Sequence, residues 1–207
     1  EKTILVGVNK DFAPVEFQNS EGNPDGYTVD LLKAIARKEG LNIKFMLDTW
    51  SNIRRDLQDQ KIDMVAGMLY SKERDKIFDF SLPTAIIAYA IFIRKETPIK
   101  SLDDLKEKEI IIVEDVYAQD WLLNNRTSSS IISMKNPTEA LQLLASGKHD
   151  CVIMPRLPGL DLLADLKINN VETTGPPVLV QELCFAVADG HSDLLAELNE
   201  GIFALQQ

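Results

Sequence analysis

The feature that most limits the folds open to this chain is an order of segments that occurs twice. Ile4 to Val8 is an apolar run of strand length. Tyr27 to Glu39 carries apolar residues at 29, 31, 32, 35 and 36, the spacing of one helix face, and Gly40 ends it. Ile43 to Leu47 is a second strand, Trp50 to Asp59 a short helix and Ile62 to Ala66 a third strand. The order then begins again: strand Ile110 to Val113, helix Ala118 to Asn125, strand Ile131 to Met134, helix Pro137 to Ser146, strand Cys151 to Met154. Alternation of this kind predicts mainly parallel sheet with helices over its faces.

Two segments echo each other closely. Leu57 to Gly67 and Leu144 to Met154 each end a helix, turn through polar residues around a lysine, meet an aspartate and enter an apolar strand. The echo predicts two similar α/β lobes; a chance match of two generic units is the competing reading. Between the halves, Thr84 to Glu96 is strand-like throughout, with no flexible linker composition. Leu183 to Ala188 adds one more strand and Asp193 to Leu205 one more helix. If the first lobe takes that last strand, the chain crosses twice, which makes a hinge and places the expected ligand cleft between lobes. The expected division is 1–84 plus 185–207 for lobe 1 and 88–180 for lobe 2, with hinges at 84–88 and 180–185.

Composition narrows the partners. The chain is 45% hydrophobic and 26% charged, ordinary for a globular protein, and its net charge is −10. That balance excludes nucleic acid and an anionic membrane surface as the expected partners. It leaves room for an anionic small molecule, because one enclosed arginine can dominate its local field. The longest apolar run, Ala85 to Ile93, is too short to span a bilayer. Cys151 and Cys184 lie inside strand patterns and read as small buried hydrophobes. His149 and His191 fall in polar turns, and no CxxC is present, so no metal or other cofactor is expected.

The segment Gly67-Met-Leu-Tyr-Ser-Lys-Glu-Arg74-Asp-Lys-Ile-Phe-Asp-Phe-Ser81 resembles the central signature of the family 3 bacterial extracellular solute-binding proteins. Phe12 to Phe17, Gly26 to Asp30, and Trp50 ahead of Ile62-Asp63 stand in the same family's order, so the resemblance covers essentially the whole chain. It implies an α/β, two-lobed, periplasmic-binding-protein-like Venus flytrap of type II with two hinge strands. It also implies an aromatic wall from Phe12 and Trp50, backbone contacts from Gly67, Met68 and Leu69, and a carboxylate grip by Arg74. A guanidinium suits that grip, since it donates two parallel hydrogen bonds in a geometry lysine cannot copy. Read on its position alone, Arg74 is a surface ion-pair partner of Glu73, Asp75 or Asp79, and core packing is the competing reading for the two aromatics.

This sequence departs from the family at the places that receive a ligand's ammonium. Leu69 stands where a Thr or Ser is usual, Val116-Tyr-Ala118 replaces a Gly-Thr-Gly-like turn, and Pro155 in Met154-Pro-Arg156 replaces an acid. A carboxylate without an amine, or an amine held by Asp115 or Asp11, fits better than an α-amino acid bound in the usual way. Tyr117 and Ala118 are expected beside the ligand, with Met154. Arg156 reads equally as a second positive contact or a solvated residue.

Three functions compete. The first is the extracytoplasmic sensor domain of a membrane receptor, such as a histidine kinase, reached by the membrane only through its parent and with a homodimeric parent left open. Ile91 to Lys95, Ala140 to Lys148, and Cys184 to Val187 with Leu194 to Gly201 resemble phrases of such domains. The chain also stops at Gln207 without the aromatic-rich Tyr…Trp helix of free transport receptors, which points to an excerpt of a larger protein. The second is the periplasmic binding component of an ABC uptake transporter. The third is an enzyme on the same fold, for which Asp115, Asp11 and Glu16 are acid-base candidates by position alone. No catalytic residue is assigned, and the isolated domain is expected not to be an enzyme.

Overall fold

The computed structural model describes residues 2–113, 117–124 and 130–207, without the side chains of residues 117, 120, 123 and 124. The chain forms two compact units, 1–86 with 181–207 and 87–180. It passes from the first to the second within one long strand and returns within another.

Unit 1 begins with β1 (Ile4–Asn9), the two-residue β2 (Asp11–Phe12), β3 (Glu16–Gln18) and β4 (Pro24–Asp25). There follow α1 (Tyr27–Glu39), β5 (Ile43–Asp48), α2 (Trp50–Gln58), β6 (Met64–Leu69), α3 (Lys72–Asp75) and the start of β7 (Phe78–Arg94). β1 lies parallel to β5, Ile4 against Ile43 through Asn9 against Asp48, and parallel to β6, with Val6 against Met64. The C-terminal part of β11 (Val171–Ala188) runs antiparallel on the far side of β6, with Leu183 against Leu69. Alternation along these strands sorts the core by face. Val6, Val8, Met64, Ala66, Phe185 and Val187 pack with Val29, Leu32 and Ile35 of α1 and with Leu198 and Ile202 of α7 (Ser192–Leu205). Val65, Met68, Ala186 and Ala188 pack on the other face with Ile53 and Leu57 of α2.

The segment after β1 forms a separate small sheet in the order β2-β3-β4, which the sequence pattern does not announce. Its strands are two or three residues long, too short to carry a periodic signal. The four-residue α3 escapes the sequence reading for the same reason. It is started by the Ser71 hydroxyl, which accepts the Arg74 amide at 3.1 Å.

Unit 2 takes the rest of β7, β8 (Glu109–Val113), α4 (Tyr117–Asn124), β9 (Ser130–Met134), α5 (Pro137–Ala145), β10 (Cys151–Pro155), α6 (Arg156–Asp165) and the first part of β11. Its strands lie in the order β7-β10-β8-β9, with β10 antiparallel to β7 and parallel to β8, and β8 parallel to β9. Asn136 caps α5 by accepting the Thr138 amide at 2.8 Å, and Pro137 fills the position where a missing N–H costs nothing. At the other end of α5, the Arg94 guanidinium donates to the carbonyls of Leu144 (3.0 Å), Lys148 (3.3 Å) and His149 (2.7 Å), groups a helix end leaves unpaired. The His149 ring pairs with the Glu109 carboxylate, which ties this turn to β8. Cys151 and Cys184, one in each unit, are buried and unbridged, and burial pushes both thiols up to about 12.

Helix α6 was not foreseen, because Leu-Pro-Gly at its start suppresses the helical pattern. It packs through Gly159 against Phe92, which is fully buried: a Cβ at 159 would stand 2.2 Å from the ring's Cζ. Among the described residues no helix is long and apolar enough to cross a membrane.

Two measurements test this packing. Gly159→Ala gains about 1 kcal/mol of helix propensity but forces a buried ring to move, which costs about 1–3 kcal/mol. The expected net result in urea denaturation is a loss of about 1 kcal/mol, and a gain in stability would refute the close approach. Arg94→Met leaves three carbonyls without their charged donor and should cost about 2 kcal/mol.

Candidate functional site

Parallel pairing fixes where unit 1 can gather chemistry. Because β5, β1 and β6 run the same way with Asn9 level with Asp48, their C-terminal ends come out at one edge of the sheet. The segments leaving that edge are Asn9 to Phe12, Asp48 to Trp50, and Leu69 to Arg74. Such an edge is the usual ligand position in open α/β sheets.

Arg74 is placed there by several local contacts. Its amide is held by Ser71, its Nη1 donates to the Leu69 carbonyl at 3.0 Å, and its guanidinium carbon lies 5.7 Å from the centre of the Trp50 ring. That distance is within the range of a cation–π contact. The side chain is half-buried. Nearby, Glu73 meets Lys76 at 3.0 Å, and Asp75 lies at the Tyr70 phenol, which its charge pushes up.

Trp50 opens α2. Thr49 caps that helix, its hydroxyl accepting the Asn52 amide at 3.4 Å. Asp48 just before it is held below the usual carboxylate range, first by the Asn52 side chain and then by the Thr49 amide. The indole is half-buried and packs on the α2-side core. Phe12, in β2, is half-buried, while Asp11 is exposed with its amide on Asn9 Oδ1 at 2.9 Å. Tyr70 sits edge-on to Phe80, and its amide donates to the Glu182 carbonyl at 2.9 Å, which ties the residue after β6 to β11.

The other expected residues are distributed less simply. Gly67 and Met68 are buried in β6, and the Met68 side chain is core, 1% exposed. Leu69 is half-buried. In unit 2, Met154 packs in that unit's core, Ala118 is buried in α4, and Arg156 is exposed as the first residue of α6. Tyr117 opens α4, with its side chain outside the description, and Asp115 lies outside the described residues.

One residue has a larger structural part than the sequence suggested. Glu16, named only as a positional acid, is 1% exposed in β3. Its Oε2 accepts the Asn9 amide at 2.7 Å, and a Cβ on Gly67 would stand 2.1 Å from its Oε1. Burial pushes its carboxyl up to about 8, against the opposing pull of the Asn9 amide and the Thr28 hydroxyl. Thr28 is fully buried at the start of α1, and its hydroxyl lies near that carboxyl without a hydrogen bond of good geometry. The available signal was a glutamate between two apolar residues in Val15-Glu16-Phe17, but only the fold shows what it faces. Among the described residues no group of histidine, cysteine and acidic side chains is arranged to hold a metal ion.

Known proteins with this arrangement agree in kind. The L-cystine-binding protein TcyJ of Escherichia coli (strain K12) is 28% identical over 208 residues, covering 99% of this chain and 78% of that protein. The crystal structure of a histidine kinase sensor domain with similarity to periplasmic binding proteins superposes with a TM-score of 0.94 at 30% identity, covering 100% of this chain and 91% of that one. An ancestral arginine-binding protein bound to glutamine superposes at 0.89, also at 30% identity, covering 100% and 92%. The fold is therefore that of the periplasmic binding proteins. Residues 4–207 match the bacterial extracellular solute-binding proteins, family 3, and the chain belongs to that family.

Proposed function

We propose that this chain is the extracytoplasmic ligand-binding domain of a membrane signalling receptor, and that it binds a small carboxylate-bearing or amino-acid-like solute at the strand-end edge of unit 1. The observation that carries the reading is Arg74, set beside Trp50 at the strand-end edge of unit 1 and oriented through the Leu69 carbonyl. A guanidinium is able to make two parallel hydrogen bonds to a carboxylate, and the Trp50 ring beside it can pack on the rest of the solute. Leu69 brings an apolar side chain where a hydroxyl would meet an amine, which favours a carboxylate whose amine is absent or held by Asp11. Capture of the solute is in this reading the work of unit 1.

The sensor assignment draws on the histidine kinase sensor domain, which matches the chain over its whole length with the higher of the two structural scores given above. A second reading, the binding component of an uptake transporter, draws on the cystine-binding relative. A parent gene that places a transmembrane helix and a kinase after residue 207 supports the first; one that ends in a free receptor beside transporter genes supports the second.

The site is tested by a thermal-shift screen of L-cystine, L-arginine, L-glutamine, succinate and benzoate, followed by calorimetry on whichever compounds raise the melting temperature. Arg74→Ala should weaken such a compound about 100-fold, the value of a charged hydrogen-bonded pair, while the apo protein loses no more than about 1 kcal/mol. Arg74→Lys should recover part of the loss, since it restores charge without the fork. Unchanged affinity in Arg74→Ala, or an apo protein that fails to fold, would return Arg74 to a structural role.

A further inference from the structure

Outside the Arg74 cluster, the most constrained polar group near the site is Glu16. It holds the end of β1 and lies against the interior of β6. Its Oε2 takes the amide of Asn9, the last residue of β1, and its Oε1 occupies the space that a side chain at position 67 of β6 would need. Gly67 is thus required by the carboxyl beneath it, independently of any ligand. The third neighbour is the buried Thr28 hydroxyl of α1. With Oε2 accepting from Asn9, a proton on the carboxyl belongs on Oε1, towards the Gly67 step.

We propose that Glu16 is a positioning residue of the ligand site, its neutral carboxyl bracing the end of β1 against the Gly67 step of β6, and that capture of a carboxylate is linked to the proton it carries. This rests on the reading of the Asn9–Phe12 and Gly67–Arg74 segments as the ligand site.

The surroundings support a neutral group. Of the ionisable side chains on the elements around β3, Asp11 of β2, Asp30 of α1 and Glu182 of β11 are exposed. Asp25 of β4 is half-buried with Oδ1 accepting the Gly26 amide at 2.7 Å, and Lys10 acts on Asp48. The Cys184 thiol of β11 is pushed up to about 12 and stays neutral. β1 contributes no ionisable side chain, and neither does β6. No charge from these groups figures among the causes acting on Glu16, which are burial, the Asn9 amide and the Thr28 hydroxyl. The carboxyl is therefore mostly protonated at pH 7 and ionises as pH rises through about 8. Ionisation places a negative charge under the segment that is to receive a second one.

The sign of the accompanying stability effect follows. The folded value of about 8 lies above the ordinary 4.5, so this group's contribution is complete below about 4.5 and is lost as pH rises to about 8. The melting temperature of the native protein should fall relative to Glu16→Gln across that window and run parallel to it above pH 8.

The decisive experiment is NMR on the apo domain with calorimetry beside it, using succinate and L-glutamine as probes. The Glu16 side-chain carbon should titrate near pH 8, and the amides of Asn9 and Gly67 should move with the same midpoint. Both amide titrations should disappear in Glu16→Gln. From pH 7 to pH 9 the native protein should lose about tenfold in affinity for the probes relative to the change in Glu16→Gln, as expected for a single proton linked to binding. The proposal is overturned if the Asn9 and Gly67 amides stay still while Glu16 titrates, or if native protein and Glu16→Gln share one pH profile of affinity. If neither probe binds at any pH, the carboxylate reading of the site fails by itself, and the two amides still decide the role of Glu16.

Discussion

Parallel register is the constraint on which unit 1 depends. Side-by-side strands that all run one way must release their chains at one edge, and β5, β1 and β6 do so within a residue or two of one another. Residues forty or sixty positions apart in sequence become neighbours without any contact that directly specifies them. Trp50 and Arg74 meet because α2 leaves one strand end and α3 another. Their helix caps, Thr49 and Ser71, fix the direction of departure. The site chemistry is built on hydrogen bonds of the backbone first and of side chains second.

That hierarchy explains what was legible in the sequence. The long helices and the central strands were readable, because each repeats an apolar spacing over enough residues to stand above chance, as in α1 and in Ile4 to Val8. Helix ends were readable where a terminal residue marks them, as at Gly40. The small β2-β3-β4 sheet, α3 and α6 were not. The first two are too short for periodicity, and the third begins with proline and glycine that normally announce a turn. The extent of β7 and β11, 17 and 18 residues, was also underestimated, since polar and proline residues interrupt the apolar pattern that marks a strand.

The candidate site was legible only in part. Arg74 and Trp50 were proposed from a motif, and the geometry brings them within 5.7 Å of each other. Glu16 could not be weighed in the same way. Its significance lies in what surrounds it, a strand-end amide, a glycine with no room for a side chain and a buried hydroxyl, and none of these adjoins it in sequence. Met68 and Met154 show the converse: a residue can lie at an expected site position while its side chain packs in the core.

The two buried cysteines have a practical meaning beyond their packing. Only the thiolate attacks a maleimide or an iodoacetamide, and a thiol pushed up to about 12 holds on the order of one part in 100,000 in that form at pH 7. Cys151 and Cys184 are therefore silent towards such reagents as long as the domain is folded. A single cysteine introduced on the surface can carry a fluorophore without first removing the native pair.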